Sequence, residues 1–472
     1  MSSAHWERLQ SHHFPGDHDE HGSVLICGVM ESSRERRLLV RDVVLALDGQ
    51  HYVPGTRGYR ALTGAFVSEQ IGRCADEKLA YLAVHNHLGG DSVAFSGPDL
   101  ASHERGYPAL LDITEGGPVG ALVITERAVA GDIWELRGRA EVSKTVVIGA
   151  NRRIFYPRRA DVPAAVDAMY DRQARLFGSA GQQLLQSSRI GVIGAGGAGS
   201  LIGQALYHLG AGEVVVVDDD HAEDSNRPRI VGSRPSDVGR NLLGRAKVAM
   251  ARRLARATNP NVRFVGLVAN VAHPKVAEQL RNVDALFLAA DSMQARHVFN
   301  ALCHQYLIPG FQVGAKAKVD EHGRIEDAFA VSRYVGPGGS CLWCCGLISA
   351  TRLQDEALSP EVRAGIEYVQ GVKEPSVITM NMMSSSFALN DFLFMFTGLH
   401  TTNDLGHRRY DFLDRNPVSE VPLPCRASCR ECTQRYGQGD RARLPVMLVD
   451  GRPRCGIKRA LDDLSVRLMR RR

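Results

Sequence analysis

The stretch from residue 189 to residue 247 constrains this chain most. It begins RIGVIGAGGAGS, continues through VVVVDDDHAEDSNRPRI and closes with GRAKVAMA. Ile190 to Ile193 form a short apolar run. Gly194, Gly196 and Gly199 follow at the spacing that lets a backbone turn tightly out of a strand, approach a phosphate and enter a helix. A second apolar run, Val214 to Val217, ends in Asp218, placed to accept hydrogen bonds from ribose hydroxyls. This is the pattern of a nucleotide-binding α/β sheet. An NAD-dependent oxidoreductase would need little more, yet Asn226, Arg229 and Lys247 follow in quick succession. Three donors, two of them cationic, suit a triphosphate better than a nicotinamide ring.

The spacing Asp-x7-Asn-x2-Arg, with a later G-x-x-K-V, resembles the adenylation domain of ubiquitin-activating enzymes and of the ThiF-type bacterial adenylyltransferases that activate sulfur-carrier proteins. The resemblance implies a Rossmann-like domain with a mixed sheet that binds ATP and Mg2+. It extends to MYDRQARLFG, similar to the segment that opens the activating-enzyme domain, and makes Arg172 the arginine that reaches an active site across a homodimer interface. A helix is expected there over about residues 163–177. Further on, DALFLAAD reads as a strand ending at Asp291, followed by a helix SMQARHVFNALCHQ. A carboxylate at the C-terminal end of a sheet strand beside a triphosphate holds magnesium. The resemblance gives that role to Asp291, with Arg296 matching; the other reading of Asp291 is a helix N-cap. IPGFQVGAKAKVD reads as one or two more strands.

The segment HNHLGGDSVAFSGPD is the second chemical motif. His85 and His87 stand two residues apart at the end of an expected strand, on one face, and Asp99 lies a short loop away. Two imidazoles and a carboxylate make a three-ligand zinc site with an open fourth position. A water bound there has a lowered pKa and attacks an amide carbonyl. The alternative is a pair of surface-loop histidines with Asp99 as a helix cap. The H-x-H…S-x-x-D arrangement resembles the JAB/MPN (JAMM) metalloproteases, which remove or trim ubiquitin-like proteins. That resemblance implies an N-terminal α/β zinc domain with His85, His87 and Asp99 as ligands, Glu20 as the proton shuttle and Ser96 beside the oxyanion. SVLICGVM and RLLVRDVVLAL read as strands and residues 58–84 as largely helical.

At 472 residues the chain has room for about two or three domains. A basic, proline-interrupted stretch over residues 151–163 marks a linker. The expected division is residues 1–155, 156–436 and a C-terminal extension, 437–472, holding a short strand pair and a helix. A net charge of +5 is too small to imply a nucleic-acid partner, and RLMRRR at the end has no interleaved aromatics. No apolar run reaches membrane-spanning length, and the N-terminal residues lack the apolar core of a signal peptide, so cytoplasm is the default. Ten cysteines then argue against a disulfide framework. Four fall in two C-x-x-C pairs, Cys341 with Cys344 and Cys429 with Cys432, which supply a closed tetrahedral zinc site; Cys345 and Cys425 are close enough to compete for it.

Residues 346–424, where activating enzymes carry an acceptor cysteine, contain none. Direct transfer of the acyl-adenylate, a hydroxyl such as Ser376, or Cys345 are the open alternatives. Ser384 to Ser386 read as small packing residues. The two resemblances imply ATP-dependent activation of the C-terminus of a small ubiquitin-like protein, coupled to zinc-dependent amide hydrolysis at the same tail, with a conjugating enzyme as a further partner. A sulfur-carrier adenylyltransferase and a degenerate recruiting scaffold are the competing readings.

Overall fold

The computed structural model describes residues 1–54, 60–158, 166–239, 244–358, 375–401, 405–414, 419–420 and 425–447. They form two compact units, one of residues 1–163 with 305–307 and 435–443, the other of the remainder.

The first unit begins with a helix absent from the sequence expectation, α1 (Ser3–His13), which Ser2 caps by accepting the His5 N–H. Strands β1 (Gly22–Glu31) and β2 (Arg36–Leu45) follow, then α2 (Gly64–Glu77), β3 (Ala80–Asn86), α3 (Gly97–Ile113), β4 (Val119–Ile124), β5 (Val129–Glu135) and β6 (Gly138–Glu141). The short pair β7 (Thr145–Val147) and β8 (Arg153–Phe155) closes the unit. The main sheet has the order β2-β1-β3-β4-β5-β6. Successive side chains of a strand face opposite sides, and both sides of this sheet are covered. Leu25, Cys27, Leu82 and Val84 pack with Trp6 and Leu9 of α1. Val24, Ile26 and Tyr81 pack with Phe66, Ile71, Tyr107 and Leu111 of α2 and α3. By the same alternation His85 falls on the α3 side and Asn86 on the α1 side.

Residues 437–443, the start of the expected extension 437–472, group with the first unit. Pairing of β1 with β3 ends at Cys27, which leaves the outer half of β1 open on that side. Gly439 bridges Val29 in parallel, Asp440 donates its N–H to the Val29 carbonyl at 2.7 Å, and its Oδ2 accepts the Glu31 N–H at 2.8 Å. Gly28 permits the approach, since a Cβ there would lie 2.1 Å from the Gly437 carbonyl oxygen. Residues 448–472, where a strand pair and helix were expected, lie outside the described residues.

The second unit opens with a 3-10 turn at Ala168–Tyr170 and α4 (Asp171–Ser187), so the expected 163–177 helix starts later and runs ten residues further, through a break at Gly178. Then come β9 (Arg189–Ile193), α5 (Gly197–Leu209), β10 (Glu213–Val217), α6 (Lys247–Thr258), β11 (Arg263–Leu267), α7 (Pro274–Gln279), β12 (Ala285–Leu288) and α8 (Met293–Gln305). After them lie β13 (Gly310–Val319), β14 (Ile325–Val335), α9 (Ala350–Ala357), α10 (Ile378–Thr397), β15 (His407–Asp411) and β16 (Ser419–Glu420). The sheet order is β11-β10-β9-β12-β13-β14-β15-β16, parallel through β13 and antiparallel beyond. This is the mixed, Rossmann-like α/β sheet expected. IPGFQVGAKAKVD is one strand, and DALFLAAD stops at Leu288 rather than at Asp291. Strand order reverses between β9 and β12, and the crevice at that switch point is where such sheets take their ligands. α10 lies over one face, its Phe392 meeting Phe287 and Phe311. Ser384 and Ser385 are buried on it as packing residues; Ser386 is exposed.

Candidate functional site

The glycine loop leaves β9 at the switch point. Gly194 has φ +96°, and a Cβ there would lie 2.7 Å from the Ala289 carbonyl oxygen. Only glycine fits, and the fit brings the segment after β12 against the loop. A Cβ on Gly199 would lie 1.9 Å from the Gly194 oxygen, so this residue lets α5 close onto the strand. Gly196 is different: it caps α5 with nothing within 4 Å of an added Cβ. Its surroundings are open where a phosphate would meet the helix N-terminus.

Asp218 follows β10 and binds the loop directly. Its Oδ2 accepts the Ala195 N–H at 2.6 Å and its Oδ1 the Asp220 N–H at 2.8 Å. Burial pushes its carboxyl above the ordinary range, against the pull of Lys247. Lys247 starts α6 with its Nζ 2.7 Å from Asp220 Oδ2. Asn226 is buried, its Oδ1 accepting the Glu223 N–H at 3.1 Å, which leaves the amide Nδ2 as a donor. Arg229 runs alongside the helix start, its Cδ 3.7 Å from the Cβ position of Gly197. Among the described residues its guanidinium has no hydrogen bond or ion pair.

Asp291 is exposed and directly follows the Ala289–Ala290 segment that the loop touches. It is not the cap of α8: Ser292 accepts the Ala295 N–H on Oγ and the Arg296 N–H on its carbonyl. Arg296 donates to the Leu347 carbonyl at 2.9 Å. Arg172 is exposed in the first turn of α4. One residue at the loop escaped the sequence reading. Asn381 of α10 puts Nδ2 2.5 Å from the Cβ position of Gly197 and donates to Ser376 Oγ at 3.3 Å. No local pattern announces it, because it reaches the loop from a helix about 180 residues downstream.

The two C-x-x-C pairs come together, with the four Sγ atoms of Cys341, Cys344, Cys429 and Cys432 within 4.8 Å of one another. Cys341 Sγ is 3.9 Å from Cys429 Sγ, and Cys344 Sγ 3.8 Å from Cys432 Sγ. Cys425 donates its thiol to the Gly339 carbonyl, and neither it nor Cys345 belongs to the group of four. Burial pushes the Cys341 thiol up to about 12, against the pull of the Cys344 and Trp343 backbone N–H groups and with the Cys429 and Cys344 thiols adding to the rise. A dication is what four crowded thiolates require, and the donor set fits zinc.

In the first unit, His85, His87 and Asp99 converge, one ligand atom from each within 4.8 Å of the others. Asp99 Oδ2 lies 3.4 Å from His85 Nε2 and 3.5 Å from His87 Nε2. His85 Nε2 is buried and makes no hydrogen bond of good geometry. A buried nitrogen left without a partner is costly, and a metal held by the three groups would supply one. Burial pushes the His87 imidazole down, which suits a neutral ligand. Burial acts to raise Asp99, but His85 and Ser96 outweigh it and hold the carboxyl below its ordinary range. Ser96 caps α3: its Oγ accepts the Asp99 N–H and faces Asp99 Oδ2 at 2.7 Å. Asp99 is thus the acidic member of a capping box and a metal ligand candidate at once, and the Ser96 hydroxyl donates to it. Glu20 Oε1 stands 3.8 Å from His87 Nε2, its carboxyl raised by burial and by Asp99.

Residues 170–384 match the ThiF family. The SAMP-activating enzyme E1 of Haloferax volcanii is 34% identical over 35% of this chain and 56% of its own length. The sulfur carrier protein ThiS adenylyltransferase of Bacillus subtilis is 30% identical over 37% and 49%. The chain therefore spans about half the length of these curated relatives. The crystal structure of E. coli MccB with succinimide covers 57% of this chain and 75% of that one at 18% identity and a TM-score of 0.44. Residues 170–384 are thus similar to ThiF-family, E1-like proteins, and the resemblance covers that segment.

Proposed function

We propose that the chain adenylates the C-terminal carboxylate of a small ubiquitin-like or sulfur-carrier protein. What carries the reading is the convergence of the glycine loop, Asp218, Arg229, Lys247 and the Asp291 segment at one switch point in a ThiF-family domain. The tail carboxylate attacks the α-phosphorus of ATP, the bond from that phosphorus to the bridging oxygen breaks, and pyrophosphate leaves with the acyl-adenylate behind. Gly194, Gly196 and Gly199 shape the loop that receives phosphate, and Asp218 adds the ribose to the backbone groups it already holds. Asn226, Arg229 and Lys247 offset charge building on the phosphates. Magnesium at Asp291 would neutralise phosphate oxygens. Arg172 acts from a second copy in a homodimer, and a conjugating enzyme receives the activated tail.

The same proposal gives the first unit a zinc-dependent amidase acting at that tail. Zinc held by His85, His87 and Asp99 would lower the pKa of a water and polarise the amide carbonyl. Glu20 takes the water's proton and returns it to the departing amine. ThiS-type activation in a cytoplasmic sulfur-transfer route is the second reading, favoured by the absence of cysteine from residues 346–424. Its mark is a thiocarboxylate on the partner. ATP–pyrophosphate exchange with a small carrier protein tests the adenylation; exchange that survives both Asp291→Ala and Arg229→Ala sinks it. Cleavage of a tail-extended carrier that persists in His85→Ala and with chelator sinks the amidase.

A further inference from the structure

The residue between the two histidines makes its own polar contacts on the other side of the sheet. Asn86 is 2% exposed and points to the α1 side of the sheet, away from His85 and His87. Its Oδ1 accepts the His21 N–H at 2.6 Å, and its Nδ2 donates to the Asp19 carbonyl at 3.4 Å. The peptide groups on both sides of Glu20 are therefore held by one side-chain amide. Gly22 pairs with His85 in the β1–β3 ladder, so His21 falls opposite Asn86 and the amide continues the ladder one step past its end.

A second buried group sets which way the amide faces. His13 of α1 places Nδ1 3.3 Å from Asn86 Oδ1 and Nε2 2.8 Å from Ser23 Oγ. Burial holds this imidazole neutral. A neutral ring with Nδ1–H toward the amide oxygen accepts the Ser23 hydroxyl proton on Nε2, and every group in the chain of contacts is satisfied. The opposite amide orientation would set NH2 against the His21 N–H.

Resting on the amidase reading above, we propose that Asn86 is a positioning residue for the general base, clamping the segment that carries Glu20 to the strand end that carries the metal ligands. The base must stand within a fraction of an ångström of its working place relative to a water on the metal, and displacement by 1 Å costs on the order of a hundred-fold. Strand alternation makes this separation of roles possible, with ligands on one face and the clamp on the other.

The experiment uses the full chain with zinc, wild type against Asn86→Ala and the milder Asn86→Asp, which keeps the acceptor for His21 but loses the donor for Asp19. The substrates are the C-terminal aminomethylcoumarin amides of ubiquitin and of ThiS. The expected result is unchanged zinc stoichiometry and unchanged ATP–pyrophosphate exchange, with kcat lower by on the order of a hundred-fold in Asn86→Ala at unchanged KM. Peptide-level hydrogen exchange over residues 17–22 is expected to quicken about tenfold, and less in Asn86→Asp. Unchanged kcat and exchange overturn the proposal, as does zinc loss in parallel with activity in both variants, since Asn86 would then serve the ligands and not the base. If Asn86→Ala does not fold, Asn86→Asp is read by the same criteria. If the wild type releases no coumarin, the amidase reading falls and hydrogen exchange alone decides the clamp.

Discussion

Asp218 and Ala195 are joined by a 2.6 Å hydrogen bond from a backbone N–H to a carboxylate, tying the end of β10 to the glycine loop that leaves β9. The residue expected to bind ribose therefore also holds the phosphate loop in shape. Asp218→Ala removes a charge-assisted bond worth about 1.5–3 kcal/mol. The KM for ATP should rise about ten- to hundred-fold, measured by pyrophosphate exchange at saturating carrier. An unchanged KM would show that the loop keeps its form without the carboxylate.

Gly199 and Gly196 separate packing from ligand approach. Gly199→Ala forces a methyl group to within 1.9 Å of the Gly194 oxygen and should destabilise the second unit by about 3 kcal/mol or more in urea titration. Gly196→Ala meets nothing within 4 Å and should unfold at the wild-type midpoint while binding ATP more weakly in calorimetry.

The cysteine cluster predicts which thiols retain metal. Cys429→Ala should lose one zinc per chain by elemental analysis and lower the melting temperature, since a structural site contributes folding energy. Cys425→Ala and Cys345→Ala should keep the wild-type zinc content. Loss of zinc from Cys425→Ala would reassign the ligand.

Asp237 ties together the segment between Arg229 and Lys247. It is 1% exposed, accepts two bonds from Arg253 and one from the Arg234 N–H, and lies 3.0 Å from Arg245 Nε. Arg253 above all holds its carboxyl below the ordinary value of 3.8. A depressed carboxyl stabilises the fold above its unfolded pKa and loses that contribution as pH falls through the folded value. Asp237→Asn should therefore cost about 3 kcal/mol near neutrality, with the gap to wild type narrowing below about pH 4. A gap independent of pH in thermal melts would mean that the charge is not what matters.

Much of the candidate site was legible because its chemistry is local. Gly194, Gly196, Gly199 and Asp218 sit at spacings set by a strand–turn–helix, and His85 and His87 by strand alternation. Less legible were the roles that depend on caps and neighbours. Asp291 read as a magnesium ligand at a strand end or else as a cap, and Ser292 takes the cap. The capping box that joins the Ser96 hydroxyl to Asp99 was not read from the motif. Helix α1 was missed because polar residues dilute its apolar face, although Trp6 and Leu9 are buried.

The sequence by itself determined that a glycine loop, a set of cationic side chains and two groups of residues of metal-ligating type are present, since each is written within a few residues. Tertiary structure decided what only distant segments meeting can decide. It chose four of six nearby cysteines across a separation of 88 residues. It laid Gly439 and Asp440 along the open half of β1, set Asn381 against the glycine loop and placed Asn86 across Asp19 and His21. The physical reason is common to all four: backbone and side-chain polar groups left without partners at an element's end must find them wherever the fold brings one near, and spacing along the chain does not record where that is.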